Sequence, residues 1–202
     1  MPFYYPFNAA RIQRTCQRLG YQWFAGEHDL NLVAVRGRDP RSDLFECWFT
    51  ATHVRAAYAV AHYAFQATTK PGLSARLDPS NVDGVAVMVP GQYRKLWRLG
   101  QHKGHEALVQ SSALLVARDS DHDPLVDPDM TKLFPATGIN CHRAGAERAS
   151  RQVSAWSEGC QVLADPDDHA FLMTLARRQV ARGASFETFT YTILTMDQME
   201  AS

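Results

Sequence analysis

Gly138-Ile139-Asn140-Cys141-His142-Arg143 and, shortly after it, Ser157-Glu158-Gly159-Cys160 are the stretches on which the reading of this chain turns. The first reads as a strand ending in a histidine, and the second sets a cysteine directly after a glycine. Cys160 follows His142 by 18 residues. A thiol beside an imidazole is a nucleophile with its base, because the histidine favours the thiolate and can then protonate a leaving amine. Gly159 lets a substrate approach the backbone closely, and the N–H groups of the same turn can stabilise a tetrahedral oxyanion. Ser157 can tie the turn together by hydrogen bonding. The plainer use of the same residues is a buried thiol and a satisfied core histidine.

Working outward, Asp165-Pro166-Asp167-Asp168 opens a helix: Asp165 caps it, Pro166 suits its first position, and the acids suit its positive end. Phe171, Leu172, Leu175, Ala176 and Gln179 share one face, and Gly183 follows the last turn. His169, in the first turn, reads as a surface residue. The chain then closes on Phe189–Leu194, an alternating strand rich in β-formers. Upstream, Asn8 caps a helix to Gly20 with a stripe of Ile12, Cys16 and Leu19. Leu30–Val35 and Leu44–Phe49 read as strands around a turn at Gly37–Pro40, with Cys16 and Cys47 as small core residues. Val54–Phe65 fits a helical stripe (Val54, Ala57, Tyr58, Ala61, Phe65) as well as a strand face, and periodicity leaves it open. Thr68–Gly72 reads as a turn, Val85–Val89 as a strand, and Leu108-Val109 and Leu114–Val116 as two more. Gly100–His105 reads as a polar loop whose two histidines, His102 and His105, face solvent.

The chain has 202 residues, 46% of them hydrophobic and 21% charged, which suits one well-packed domain. Lys plus Arg (21) equals Asp plus Glu (21), so no basic surplus points to nucleic acid as a partner. No apolar run reaches the ~18–20 residues that span a bilayer. Residues 1–7 lack a basic segment followed by an apolar core, so the expectation is a protein made in the cytoplasm without a secretory signal, its four cysteines reduced.

Two metal readings compete. Asp119, Asp121, Asp123 and Asp127 stand at positions 1, 3, 5 and 9 of a run that resembles a calcium loop. Pro124 replaces the glycine such a loop wants, and Met130 the glutamate, so a solvated acidic loop is the expected reading and no metal or cofactor is assigned. Zinc on Cys141, His142, Cys160 and His169 meets the alternation of a strand, which sends Cys141 and His142 to opposite faces.

The spacing of His142 and Ser157-Glu158-Gly159-Cys160, with Gly138-Ile139 leading into the histidine, resembles the signature of the L,D-transpeptidase (YkuD-like) family. The likeness is specific over residues 137–163. It implies an α+β, mainly β fold: a YkuD-like β-sandwich or barrel with an N-terminal helix and a helix after the catalytic cysteine. It implies residues 1–28 as an N-terminal helical segment packed on a single catalytic unit of residues 29–202. Cys160 would be the nucleophile and His142 the base, the backbone carbonyl of Arg143 orienting the imidazole, with Gly159 and Ser157 completing the catalytic turn. Asn140, Glu158, Tyr93 and His102 would contact substrate, Tyr93 because Val89–Tyr93 resembles the family's proline–glycine–aromatic strand. Glu158 stands where the family has histidine, and Gln161-Val162 where it has Arg or Asn, so Arg143 is the residue expected to supply the missing positive charge.

The implied activity is peptidoglycan modification. Cys160 attacks an L-centre–D-residue bond of a stem peptide, forms a thioester, and passes the acyl group to an amine or to water. The expected setting is a phage-borne lysis protein or a delivered toxin that acts on the cell wall once released, with an immunity or delivery partner unidentified. The other class is a non-catalytic cell-wall-binding or phage structural module on the same fold.

Overall fold

The computed structural model describes residues 6–41, 43–56 and 59–201. Residues 1–5, and Ala57 and Tyr58 of the ambiguous run, lie outside them. The chain is α+β and mainly β, with 36% strand and 20% helix. Eight strands close into a barrel in the order β1 (Asn31–Arg36), β11 (Thr188–Thr195), β5 (Gly91–His102), β6 (His105–Gln110), β9 (Cys141–Arg143), β10 (Gln161–Leu163), β3 (Val60–Thr68) and β2 (Cys47–Val54). Two pairs, β1 with β11 and β9 with β10, are parallel. A second sheet, β4 (Val85–Val87), β7 (Leu114–Asp119) and β8 (Phe134–Ala136), stands beside the barrel.

Inward residues of the strands fill the barrel around an aromatic stack. The Tyr191 ring lies 4.3 Å from Trp97 and 5.6 Å from Phe49, between centroids. Helix α3 (Pro166–Val180) adds Leu172, Met173, Leu175 and Ala176 to this core. Its start follows the expected chemistry: the Asp165 side chain accepts from Asp167 N at 2.8 Å, Pro166 opens the first turn, and Arg177 and Arg178 close the last one against the negative end of the dipole. Helix α1 (Ala9–Arg18), capped by Asn8 Oδ1 accepting from Arg11 N at 2.9 Å, packs Ile12 and Cys16 on Val33, Val35 and Leu194. Short helices α2 (Leu73–Leu77) and α4 (Met196–Glu200) complete the fold.

One open reading is resolved and two expectations change. From Val60 the ambiguous run is extended: Val54, at the end of β2, pairs with Val60, and β3 runs antiparallel to β2 as far as Cys47 opposite Ala67, with Ala61, Phe65 and Ala67 buried at the two-residue period of a strand. The strand expected at Leu44–Phe49 begins instead at Cys47, because Leu44 makes only an isolated bridge to Gln152. The loop expected at Gly100–His105 is a tight hairpin. Lys103 (φ 47°) and Gly104 (φ 80°) both take positive φ, the conformation of a two-residue turn that follows strand twist, and His102 pairs with His105 across it.

Candidate active site

The parallel pair β9–β10 organises the site. Gln161 lies opposite Cys141 and Val162 opposite His142. Side chains alternate along a strand, so Cys141, Gln161 and Leu163 enter the core, while His142, Val162 and Cys160 turn outward. Gln161 accepts from the Tyr191 hydroxyl at 2.7 Å and donates to Gly159 O at 3.1 Å. Val162 is buried in a separate cluster with Phe45, Ala144 and Val153. Neither position after the cysteine therefore reaches a substrate.

The turn before Cys160 is held by Ser157, whose hydroxyl donates to Cys160 O (2.8 Å) and accepts from Gly159 N (3.1 Å). Ala86 N on β4 donates to Glu158 O at 2.9 Å, seating the turn against the second sheet. Gly159 has φ +142°, and a Cβ there would stand 2.7 Å from Ala86 Cβ and 2.8 Å from its carbonyl oxygen. The close approach that Gly159 permits is thus that of β4. The Cys160 N–H has no acceptor among the described residues, which leaves it available to an oxyanion.

The Cys160 sulfur receives Asn140 N–H at 3.4 Å and donates to Gly138 O at 3.3 Å. It makes no hydrogen bond to His142. Burial raises the thiol above the ordinary cysteine range, the Asn140 N–H and Lys103 pull it back, and Glu158 adds to the rise. His142 Nδ1 lies 2.7 Å from the Arg143 carbonyl oxygen, the contact implied for the imidazole. A carbonyl only accepts, so Nδ1 carries the proton and Nε2 offers the lone pair. Burial lowers His142 to about 4, against the opposing effect of that backbone bond. The resting pair is a neutral thiol and a neutral imidazole.

More histidines gather here than the sequence reading placed. His102 stacks on His142 with centroids 4.4 Å apart and planes 18° from parallel. His105 lies 6.1 Å from His142 and 6.3 Å from His169, which is 4% exposed. The solvent-facing expectation for His102 and His105 and the surface expectation for His169 are corrected. The tight turn folds the hairpin tip over β9, and α3 packs its first turn against β6 and β9. Asn140 uses its side chain within the protein, accepting from Gln110 N (3.0 Å) and donating to His102 Nδ1 (3.0 Å), so it positions His102.

Cys160 opens on a groove of about 230 Å³, smaller than the ~300–1,000 Å³ of sites for drug-sized molecules, whose lining includes Ser80, Ala86, Arg118, Gly138 and Glu158. Glu158 accepts from the Ser80 hydroxyl. Tyr93 is not in that lining: its hydroxyl donates to Val89 O at 2.5 Å, and its ring packs on the core. Arg143 donates to Ala144 O at 3.3 Å and sits near His105 and His169, whose protonation it disfavours, so it does not line the groove either. The groove's cation is Arg118, which the sequence reading missed because it lies far along the chain at the edge of the acidic loop.

In that loop, Asp119, Asp121 and Asp127 bring carboxylate oxygens within 4.8 Å of one another, and no other such metal-ligand group occurs among the described residues. Asp123 is outside the group, its carboxylate accepting from Leu125 N at 2.6 Å. Asp127 N donates to Asp119, and burial first, then Asp121, pushes Asp119 up to about 6. Cys141 faces the core, away from the histidines.

No family model matches the chain, and neither does any curated protein or solved structure. No helix among the described residues is long and apolar enough to cross a membrane.

Proposed function

We propose that this protein is a cysteine acyltransferase or peptidase of L,D-transpeptidase type, acting on peptidoglycan stem peptides through a thioester at Cys160 on a YkuD-like scaffold. The observation that carries the reading is the shared outward face of His142 on β9 and Cys160, the residue immediately before its parallel partner β10, with His142 Nδ1 fixed by the Arg143 carbonyl at 2.7 Å. In this reading the thiol leaves Gly138 O and gives its proton to His142 Nε2 as the sulfur attacks the scissile carbonyl. The Cys160 N–H receives the oxyanion, and the imidazolium returns the proton to the departing amine. An amine or water then attacks the thioester, and the thiol is restored. Buried histidines around the base favour its neutral form, the form a general base needs.

The test is mass spectrometry of defined muropeptides after incubation with the protein, which separates transfer from hydrolysis. Turnover that disappears in both Cys160→Ala and His142→Ala supports the reading; full turnover in either variant contradicts it.

One observation favours a second reading, a non-catalytic cell-wall-binding module. The resting thiol is raised by burial and bonded to Gly138 O, not to His142. Muropeptide binding without any product, together with Cys160 no more reactive than Cys47, would select it. A phage-borne or delivered setting belongs to the same proposal and is open to either reading.

A further inference from the structure

Arg118 and Glu158 flank one residue. Ala86 on β4 lies directly opposite Arg118 on β7, and on its other side its N–H donates to Glu158 O at 2.9 Å. Directly paired residues of an antiparallel sheet share a face, so Arg118 stands on the face where Ala86 lines the groove. Successive strands are ~4.8 Å apart, which sets the two backbones about 10 Å from each other.

Both ends carry unused capacity. Arg118 has one hydrogen bond, Nη1 to Gly84 O at 3.0 Å, and its Nε is buried with no partner. Glu158 is exposed and receives only the neutral Ser80 hydroxyl. No ion pair joins the two among the described residues. A guanidinium with free donors and a carboxylate, lining one groove together with the thiol, make a two-ended receptor.

We propose that Arg118 and Glu158 are the specificity residues of this groove, and that they select a ligand carrying an anionic and a cationic group on one carbon, the α-amino-acid group. The carboxylate of that group pairs with Arg118 and its ammonium with Glu158. This names the substrate chemistry of the proposed enzyme and rests on that reading for turnover, though not for binding. It also explains how a chain with Gln161 and Val162 turned into the interior keeps a cation at the site.

The experiment is alkylation of Cys160, followed by mass spectrometry, with anionic iodoacetate and neutral iodoacetamide at equal concentration. Relative to the wild-type protein, Arg118→Gln is expected to lower the iodoacetate-to-iodoacetamide rate ratio about fivefold, and Glu158→Gln to raise it by a similar factor, the size of a modest ionic contact. Arg118→Lys retains the charge and should keep most of the ratio, which separates charge from a folding defect. D-Alanine should protect Cys160 from iodoacetamide, while D-alaninamide and propionate, each lacking one charge, should not. Unchanged ratios in both variants, or equal protection by all three compounds, would overturn the clamp. If the ratios shift while wild-type protein never turns over muropeptides, the clamp stands and the enzymatic reading fails. If turnover occurs with flat ratios, the reverse holds.

Discussion

Cys160, immediately before β10, and His142, on its parallel neighbour β9, both face outward, yet the thiol donates to Gly138 O at 3.3 Å and the imidazole donates to Arg143 O at 2.7 Å. Each member of the pair is oriented by a carbonyl instead of by the other. This makes the resting site neutral, and that neutrality has measurable consequences.

The first concerns reactivity. With Cys160 raised above the ordinary thiol value of 9.0, its alkylation by iodoacetamide should rise with pH through an inflection above 9. Cys16, pushed by burial up to about 12, and the fully buried Cys141 should react more slowly still. Site-resolved mass spectrometry across a pH series reads this directly. An inflection near 7 would mean a thiolate–imidazolium pair and contradict the neutral ground state. Turnover should instead fall on the acid side, as His142 protonates at about 4.

Stability should also follow the histidines. His142 and His169 are each lowered to about 4 by burial, so between about 6.5 and 4 the unfolded chain binds protons that the folded chain refuses. Their contribution is whole above 6.5 and is lost as pH falls, by up to ~1.4 kcal/mol per pH unit for each histidine. Asp119 works the other way: raised to about 6, it gains a proton on folding and regains stability as pH falls through the range between 6 and 3.8. Urea unfolding at a series of pH values should show a net loss towards pH 4. The loss should be shallower in His169→Gln and steeper in Asp119→Asn.

Gly159 should tolerate no side chain. Gly159→Ala brings a Cβ to 2.7 Å from Ala86 Cβ at a φ of +142°, where strain and overpacking together cost about 3 kcal/mol or more. Denaturant titration checks the loss. Wild-type stability in this variant would show that the turn before Cys160 is not seated on β4 as described.

Much of this site could be read from local chemistry, and the limits of that reading are physical. The helix after the cysteine was legible because its signals are local: a capping Asp165, Pro166, and acids in the first turn. The His142–Cys160 motif was legible for the same reason. His105 and His169 were not, because a polar hairpin tip and a helix start look solvent-facing until β6, β9 and α3 pack together. Arg118 was hidden by distance along the chain: only the pairing of β7 with β4 brings it to Ala86 and so to Glu158. Tyr93 was named on the likeness of Val89–Tyr93 to a proline–glycine–aromatic strand, and a local likeness does not show that its hydroxyl is taken by Val89. The run from Val54 to Phe65 could not be assigned from periodicity, since β2 supplies the partner that makes Val60–Phe65 a strand.

Position 161 offers a further check. Gln161 is fully buried and bonded to Tyr191, so Gln161→Arg places an unpaired charge in the core instead of a cation in the groove. The expected cost is about 3 kcal/mol or more by chemical denaturation, with no gain in the iodoacetate preference of Cys160. A stable variant with a raised preference would show that residue 161 does face the ligand.

The central claim is that Cys160 carries an acyl group from a stem peptide. Intact-protein mass spectrometry after brief incubation with a tetrapeptide muropeptide tests it most directly. The account predicts a mass increase equal to the acyl portion of the substrate, mapped to Cys160 and absent in Cys160→Ala. Product formation without an adduct at Cys160, or with undiminished rate in Cys160→Ala, would contradict it.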